Sequence, residues 1–176
     1  KAAQEMKERV DALIGEQARY MWVCTFHSAC VRILRKDITA IGYDSNFVIY
    51  DGADQQTLIK QCLKEMNIDD KRFAPRAVAA GISQAKNKLL DPQAFEEQAD
   101  NYQQQVIGRI YKLYQGKLKT NNALDFDDLI MKTVMLFENH PDILRGYQDR
   151  FGYILIDEYQ DTNFAQYSLI KLLAGK

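Results

Sequence analysis

The sequence predicts an α/β fold in which a mostly helical segment interrupts a layered domain. Three observations predict it. Near the C-terminus, Tyr153-Ile154-Leu155-Ile156 runs directly into Asp157-Glu158, and a short apolar run of this kind reads as a strand buried on both faces. Tyr20-Met21-Trp22-Val23-Cys24 is a second run of the same type. Between them, residues 43–120 carry almost unbroken helical periodicity, so an α/β pattern begins, gives way to helices, and resumes.

Taken in order, Ala3, Met6, Val10 and Leu13 recur at helical spacing from Lys1 to Leu13, and Gly15 ends that helix. The Tyr20–Cys24 strand leads through Thr25-Phe26-His27-Ser28 into a helix with Cys30, Ile33, Leu34, Ile38 and Ile41 inward, closed by Gly42. Phe47–Tyr50 is a short strand or extended segment. Asp54 starts a helix with Leu58, Ile59, Cys62, Leu63 and Met66 inward, and Pro75 opens another running to Leu89. Asp91-Pro92 is an N-cap followed by proline at the first helical position. From there Phe95, Ala99, Tyr102, Val106, Ile110 and Leu113 predict one long helix, bent near Gly108 and ended by Gly116. After the Asn121-Asn122 loop, Phe126, Leu129, Ile130, Val134 and Phe137 share a helical face. A short helix opens at Pro141, and a last one carries Phe164, Tyr167, Ile170 and Leu173. The expected units are therefore residues 1–42 with 121–176, and residues 43–120.

Composition sets limits on the class of protein. Of 176 residues 47% are hydrophobic and 27% charged, which suits a packed globular core. The net charge of −1 gives no overall signal for nucleic acid, so only a local basic surface could supply one. Cys24, Cys30 and Cys62 lack metal-ligand spacing and sit in apolar stretches, as buried free thiols of a reducing compartment do. No apolar run approaches a membrane span, and no signal peptide is present. The chain begins at Lys1, already inside a helical pattern, and so reads as part of something longer. Charge is segregated locally. Lys71, Arg72, Arg76, Lys86 and Lys88 fall in one acid-free stretch, and Arg109, Lys112, Lys117 and Lys119 in another. A solvated helix face explains such runs; so does a surface that meets phosphates, with Lys86 and Lys88 as the best candidates. Tyr102 fits the core stripe, and Tyr111 and Tyr114 flank it as packing or base-stacking residues.

The chemistry concentrates at Asp157-Glu158. In open α/β sheets ligands bind at the C-terminal ends of strands. Two carboxylates there are costly unless a cation or a reaction needs them. Mg²⁺ often takes one protein carboxylate plus waters and phosphates, leaving the other acid to activate a water. The alternative is helix capping, which accounts for Asp161 or Asn163 and less well for the adjacent acids.

Four segments resemble one family. Lys1–Arg9 resembles the tail of motif Ia of superfamily 1 DNA helicases, and Thr25-Phe26-His27-Ser28 resembles motif Ib. Leu124-Asp125-Phe126-Asp127-Asp128-Leu129 matches a further signature of the group. Ile156–Asn163 matches motif II, the Walker B element. The resemblance is to the UvrD/Rep/PcrA type, with a PcrA-like character, and it covers the whole chain. It implies a partial RecA-like motor domain with a parallel sheet, interrupted by the helical insertion called 1B. It implies that Asp157 holds Mg²⁺, that Glu158 activates the water attacking the γ-phosphate of ATP, and that Thr25, Phe26 and His27 touch single-stranded DNA. A capping or core role is the alternative for His27. The basic insertion would meet duplex DNA at single/double-strand junctions, in the cytoplasm of a bacterium. No Gly-x-x-x-x-Gly-Lys-Ser/Thr occurs in these residues, and that loop holds the triphosphate. The expectation is an ATP-dependent helicase as the parent, with this segment alone inactive, binding neither ATP nor Mg²⁺, and prone to self-associate through uncovered strands. A recombinational helicase–nuclease shares nearly all these motifs, and a non-catalytic DNA-binding or adaptor module is the reading from another class.

Overall fold

A computed structural model describes residues 2–175; Lys1 and Lys176, the outer limits of two expected segments, lie outside them. Helix α1 (Ala2–Ile14) stops at Gly15, whose φ of +60° is the left-handed conformation glycine adopts freely. A 3-10 turn (Gly15–Tyr20) follows. Helix α2 (Phe26–Asp37) buries Cys30, Ile33 and Leu34. A further 3-10 turn over Ile38–Ile41 ends at Gly42, with φ +75°. Arg35 then fixes the path into the sheet, donating to the carbonyls of Ser45 (2.8 Å) and Phe47 (2.6 Å) with its guanidinium over the Phe47 ring.

The sheet has two parallel strands, β1 (Val48–Tyr50) and β2 (Ala123–Asp125), paired Val48 with Ala123, Ile49 with Leu124 and Tyr50 with Asp125. Parallel neighbours need a crossover connection. Here the crossover is four helices: α3 (Gly52–Glu65), α4 (Pro75–Asn87), α5 (Pro92–Glu97) and α6 (Tyr102–Thr120). Three more follow β2: α7 (Phe126–Asn139), α8 (Pro141–Arg150) and α9 (Phe164–Ala174). The chain thus enters and leaves the four-helix segment through adjacent strands.

Strand alternation separates two cores. Successive residues of a strand face opposite sides. Ala123 belongs to a cluster with Leu58, Ile59, Ile82, Ile110 and Tyr114 from the crossover helices. Leu124, the next residue, belongs to a cluster with Ile33, Leu34, Phe47, Leu129 and Phe137. On β1, Tyr50 packs on the first cluster and Ile49 on the second.

Four expectations about elements are corrected. Tyr20–Cys24 is not a strand: the 3-10 turn runs through Tyr20 and the chain is irregular to Thr25. Trp22 instead packs edge-on against Phe151 (5.0 Å), beneath the guanidinium of Arg32 at 4.0 Å. Tyr153–Ile156 is not a strand either, and Tyr153 and Leu155 are 97% and 90% exposed. Apolar content makes a strand only where a neighbour offers a hydrogen-bonded edge, and among the described residues no strand lies beside either run. The long helix from Pro92 is two helices, α6 restarting at the Asn101 cap, which accepts from the Gln104 amide at 2.9 Å. α6 runs through Gly108 and Gly116 without ending. A Cβ on Gly108 would lie 2.8 Å from Glu96 Cγ, so that glycine serves the close approach of α5. Finally, Tyr102 is exposed while Tyr111 and Tyr114 are buried, reversing the expected stripe.

Candidate nucleic-acid interface and acidic pair

Thr25 is the N-cap of α2: its Oγ1 accepts from the Ser28 amide at 3.2 Å, leaving Phe26 and His27 in the first turn. Both are half-buried. The His27 ring meets Phe126 edge-on, centroids 6.0 Å apart. Phe126 opens α7 and remains 51% exposed, so an aromatic edge and an imidazole stand together at the surface. Burial lowers the His27 pKa, and the nearby Asp127 charge partly opposes it. Spacing alone puts Phe126 on the inward face, where the structure does not. Its position at the first helical turn, just after an Asp cap, is the signal that could have revealed it as exposed.

Asp157 and Glu158 lie in a solvent-exposed turn before a 3-10 turn over Tyr159–Asp161. They do not end a strand, which corrects that part of the expectation. Glu158 has φ 49°, ψ 42°, a left-handed conformation uncommon for a residue with a Cβ. The turn is held by its own polar groups. Asp157 Oδ1 accepts from the Glu158 backbone amide at 3.1 Å, the Gln160 side-chain amide Nε2 donates to Glu158 Oε2, and the Thr162 hydroxyl donates to the Tyr159 carbonyl at 2.8 Å. Asn163 then caps α9 in a reciprocal box with Gln166. The remaining carboxylate oxygens are hard donors open to solvent, which suits Mg²⁺ completed by waters and phosphate oxygens. Among the described residues no group of three His, Cys, Asp or Glu side chains forms a cage by itself.

The expectation that Lys86 meets a phosphate backbone is overturned. Its side chain is 0% exposed, with Nζ 2.8 Å from Asp125 Oδ2 and 3.0 Å from Asp128 Oδ1. Tyr114 donates to the same Asp125 oxygen at 2.8 Å, and Gln115 donates to Asp128 at 3.1 Å. The two aspartates also form the capping box of α7, Asp128 N to Asp125 Oδ1 at 2.9 Å and Asp125 N to Asp128 Oδ2 at 3.3 Å. Burial opposes the Lys86 charge, but Asp128 and Asp125 more than offset it and its pKa rises. Burial also works against the Asp125 carboxylate; Lys86 overcomes it and holds that pKa down. Asp128, fully buried beside the Asp125 charge, is pushed up. The acid-free stretch around Lys86 was misleading because its partners are distant in sequence, Asp125 being 39 residues on.

Lys88, two residues beyond Lys86, is exposed, as are Lys71, Arg72, Arg76, Arg109 and Lys112. Lys117 pairs with Glu65 at 2.7 Å, and Lys119 donates to the Gly42 carbonyl. The three cysteines are free, Cys30 and Cys62 buried and Cys24 half-buried; burial lifts the Cys30 thiol to about 12 and Cys62 to about 11. No helix among the described residues is long and apolar enough to cross a membrane.

The description "UvrD/REP helicase N-terminal domain" matches residues 1–176. Among curated proteins, the chain is 53% identical over 176 residues to an ATP-dependent DNA helicase PcrA of Staphylococcus epidermidis, covering 100% of this chain and 24% of that protein. The same identity and coverage hold for an ATP-dependent DNA helicase PcrA of Staphylococcus aureus. The chain therefore spans about a quarter of the length of these relatives. With the match running over every residue, the chain belongs to the UvrD/REP helicase N-terminal domain family.

Proposed function

We propose that this chain is the part of an ATP-dependent DNA helicase that touches single-stranded DNA and carries the metal-holding and water-activating acids. The observation that carries the reading is 53% identity, across all 176 residues, to relatives named as such helicases. Thr25, Phe26 and His27 form the DNA face, together with the exposed ring of Phe126. A hydroxyl and an imidazole can bond phosphate, and aromatic rings can stack on bases of any sequence. Asp157 would hold Mg²⁺ and Glu158 would accept the proton of the attacking water. When bound, Mg²⁺ neutralises charge on the triphosphate oxygens. The loop that grips the triphosphate does not occur among these 176 residues, so the segment alone is expected to hydrolyse no ATP.

In this reading the second hydrophobic cluster belongs to the RecA-like motor and the first to the inserted 1B-like unit, the chain passing between them at β1 and β2. Exposed Lys88, Arg72, Arg76, Arg109 and Lys112 supply phosphate contacts toward a single/double-strand junction, in the bacterial cytoplasm. Tyr20, Tyr153 and Leu155, exposed at 86%, 97% and 90%, are covered by more of the parent or, in the isolated segment, by a second copy. Sedimentation over a concentration series reads the latter.

Fluorescence anisotropy of a labelled oligothymidylate tests the DNA face. The chain should bind weakly, with affinity falling as salt rises. Phe126→Ala should cost about 1–3 kcal/mol of binding, as loss of one stacking ring does. On a labelled duplex carrying a single-stranded tail, Lys88→Glu should reduce the salt slope by about one. Unchanged affinity in Phe126→Ala and His27→Ala would contradict the placement of the face.

A further inference from the structure

Lys86 and Asn87 are consecutive residues at the end of α4, and each reaches the start of α7. Lys86 holds the Asp125–Asp128 capping box. Asn87 extends two arms. Its Nδ2 lies 3.3 Å from Asp127 Oδ1, the residue after Phe126, and also donates to the Ser83 carbonyl at 2.9 Å. Its Oδ1 accepts from Asn163 Nδ2 at 2.6 Å. Asn163 is the N-cap of α9 and stands just past the 3-10 turn Tyr159–Asp161 that follows Asp157 and Glu158.

The residue types fit these bonds. Capping α9 uses only the Asn163 oxygen, which accepts from the Gln166 amide at 2.9 Å. Serine or aspartate would cap as well, so capping leaves the choice of an amide unexplained; its spare NH₂ makes the bond to Asn87. At position 87 the side chain accepts from one helix start and donates to another at once, which an amide can do and a carboxylate cannot. Asp127 is also the charge that faces His27.

We propose that Asn87 is a positioning residue: a bridge that sets the N-terminus of α9, and with it the acidic turn, against the N-terminus of α7, where Phe126 and His27 form the DNA face. This rests on the functional reading above. The helical crossover thereby supplies a hydrogen-bonded route between the two functional segments, Asp127 to Asn87 to Asn163.

The test uses the 176-residue chain and the variants Asn163→Ser, Asn87→Ala and the double substitution. Asn163→Ser keeps the cap and loses only the bridging amide, so it guards against simple misfolding. Amide hydrogen exchange by NMR is followed at 127–129 on α7 and at 164–167 on α9. Either single variant should raise exchange at both helix starts, by about fivefold for one hydrogen bond of ordinary worth, and shift the His27 ring resonances. The double variant should add nothing beyond the larger single effect. Changes confined to α9 in Asn163→Ser and to α4 in Asn87→Ala, or effects that simply add, would overturn the bridge, since a local capping role moves only its own helix. Failure of the DNA reading shows separately, as no oligothymidylate binding by the unmodified chain, and exchange alone then decides the bridge.

Discussion

Two pairs of carboxylates, one capping the start of α7 and one in the turn that leads to α9, have opposite fates. Asp125 and Asp128 are buried, bonded to each other's backbone, and share one buried ammonium. Asp157 and Glu158 are exposed in a turn, with no cation within reach among the described residues and most of their lone pairs facing water. The first pair has its hydrogen-bonding capacity taken up by the fold and cannot offer it to a ligand without breaking the core. The second can exchange solvent for a metal ion at little structural expense. Acidity is thus no guide to function here; the state of the remaining oxygens is.

The largest effect expected from this contrast comes from Lys86→Met. It leaves two buried carboxylates facing each other without their cation, and loss of one partner from a buried ion cluster costs about 3–5 kcal/mol. Lys88→Met, on the exposed side two residues away, should stay within about 0.5 kcal/mol, as should Asp157→Asn and Glu158→Gln. Urea denaturation of the four variants sharpens the comparison, and a small loss in Lys86→Met alone would break it.

A smaller effect concerns pH. Asp125 has its folded pKa held below the ordinary 3.8. On acidification the unfolded chain therefore takes up this proton first. The contribution of Asp125 is complete above pH 3.8 and disappears as pH falls through the folded value. Asp128 has the opposite sign: its raised pKa favours the folded state at low pH, and that advantage is lost as pH rises through the folded value. Lys86, raised above 10.5, contributes fully below that value and loses its contribution as pH rises through the folded one. Stability measured against pH should consequently have a shallower acid limb in Asp125→Asn than in the unmodified chain. An identical limb would mean that Asp125 is not held charged by Lys86. His27 adds a weaker slope: with its pKa lowered by burial, stability falls as pH drops through 6.5, and His27→Gln should flatten that region.

The helices were legible because their signals are local. Pro75, Pro92 and Pro141 open α4, α5 and α8 at the first helical position, and Gly15 and Gly42 end their segments with positive φ. Of the strands, β1 was legible at Phe47–Tyr50 and β2 was not, because pairing is a relation between distant segments. Tyr153–Ile156 has the composition of a buried strand and no neighbouring strand among the described residues, while Ala123-Leu124-Asp125 forms β2 against residues 75 positions earlier. Thr25-Phe26-His27 is legible only through the motif resemblance, and Asp157-Glu158 through its place after an apolar run, although the chain makes a turn there and not a strand end. Lys86 and Asn87 could not be read correctly, since their partners, Asp125, Asp128, Asp127 and Asn163, become neighbours only after α4 packs on α7 and α9.

The contrast between the two acidic pairs is tested most directly by titrating the chain with Mn²⁺, an oxygen-seeking stand-in for Mg²⁺, while following backbone amide signals by NMR. Without the triphosphate loop the chain is expected to hold no metal tightly, so the account predicts paramagnetic broadening only at millimolar Mn²⁺, centred on residues 156–160, abolished by Asp157→Asn, with the amides of 125–128 unaffected at the same concentrations. Broadening centred on 125–128, or none at 156–160 across a millimolar titration, would contradict it.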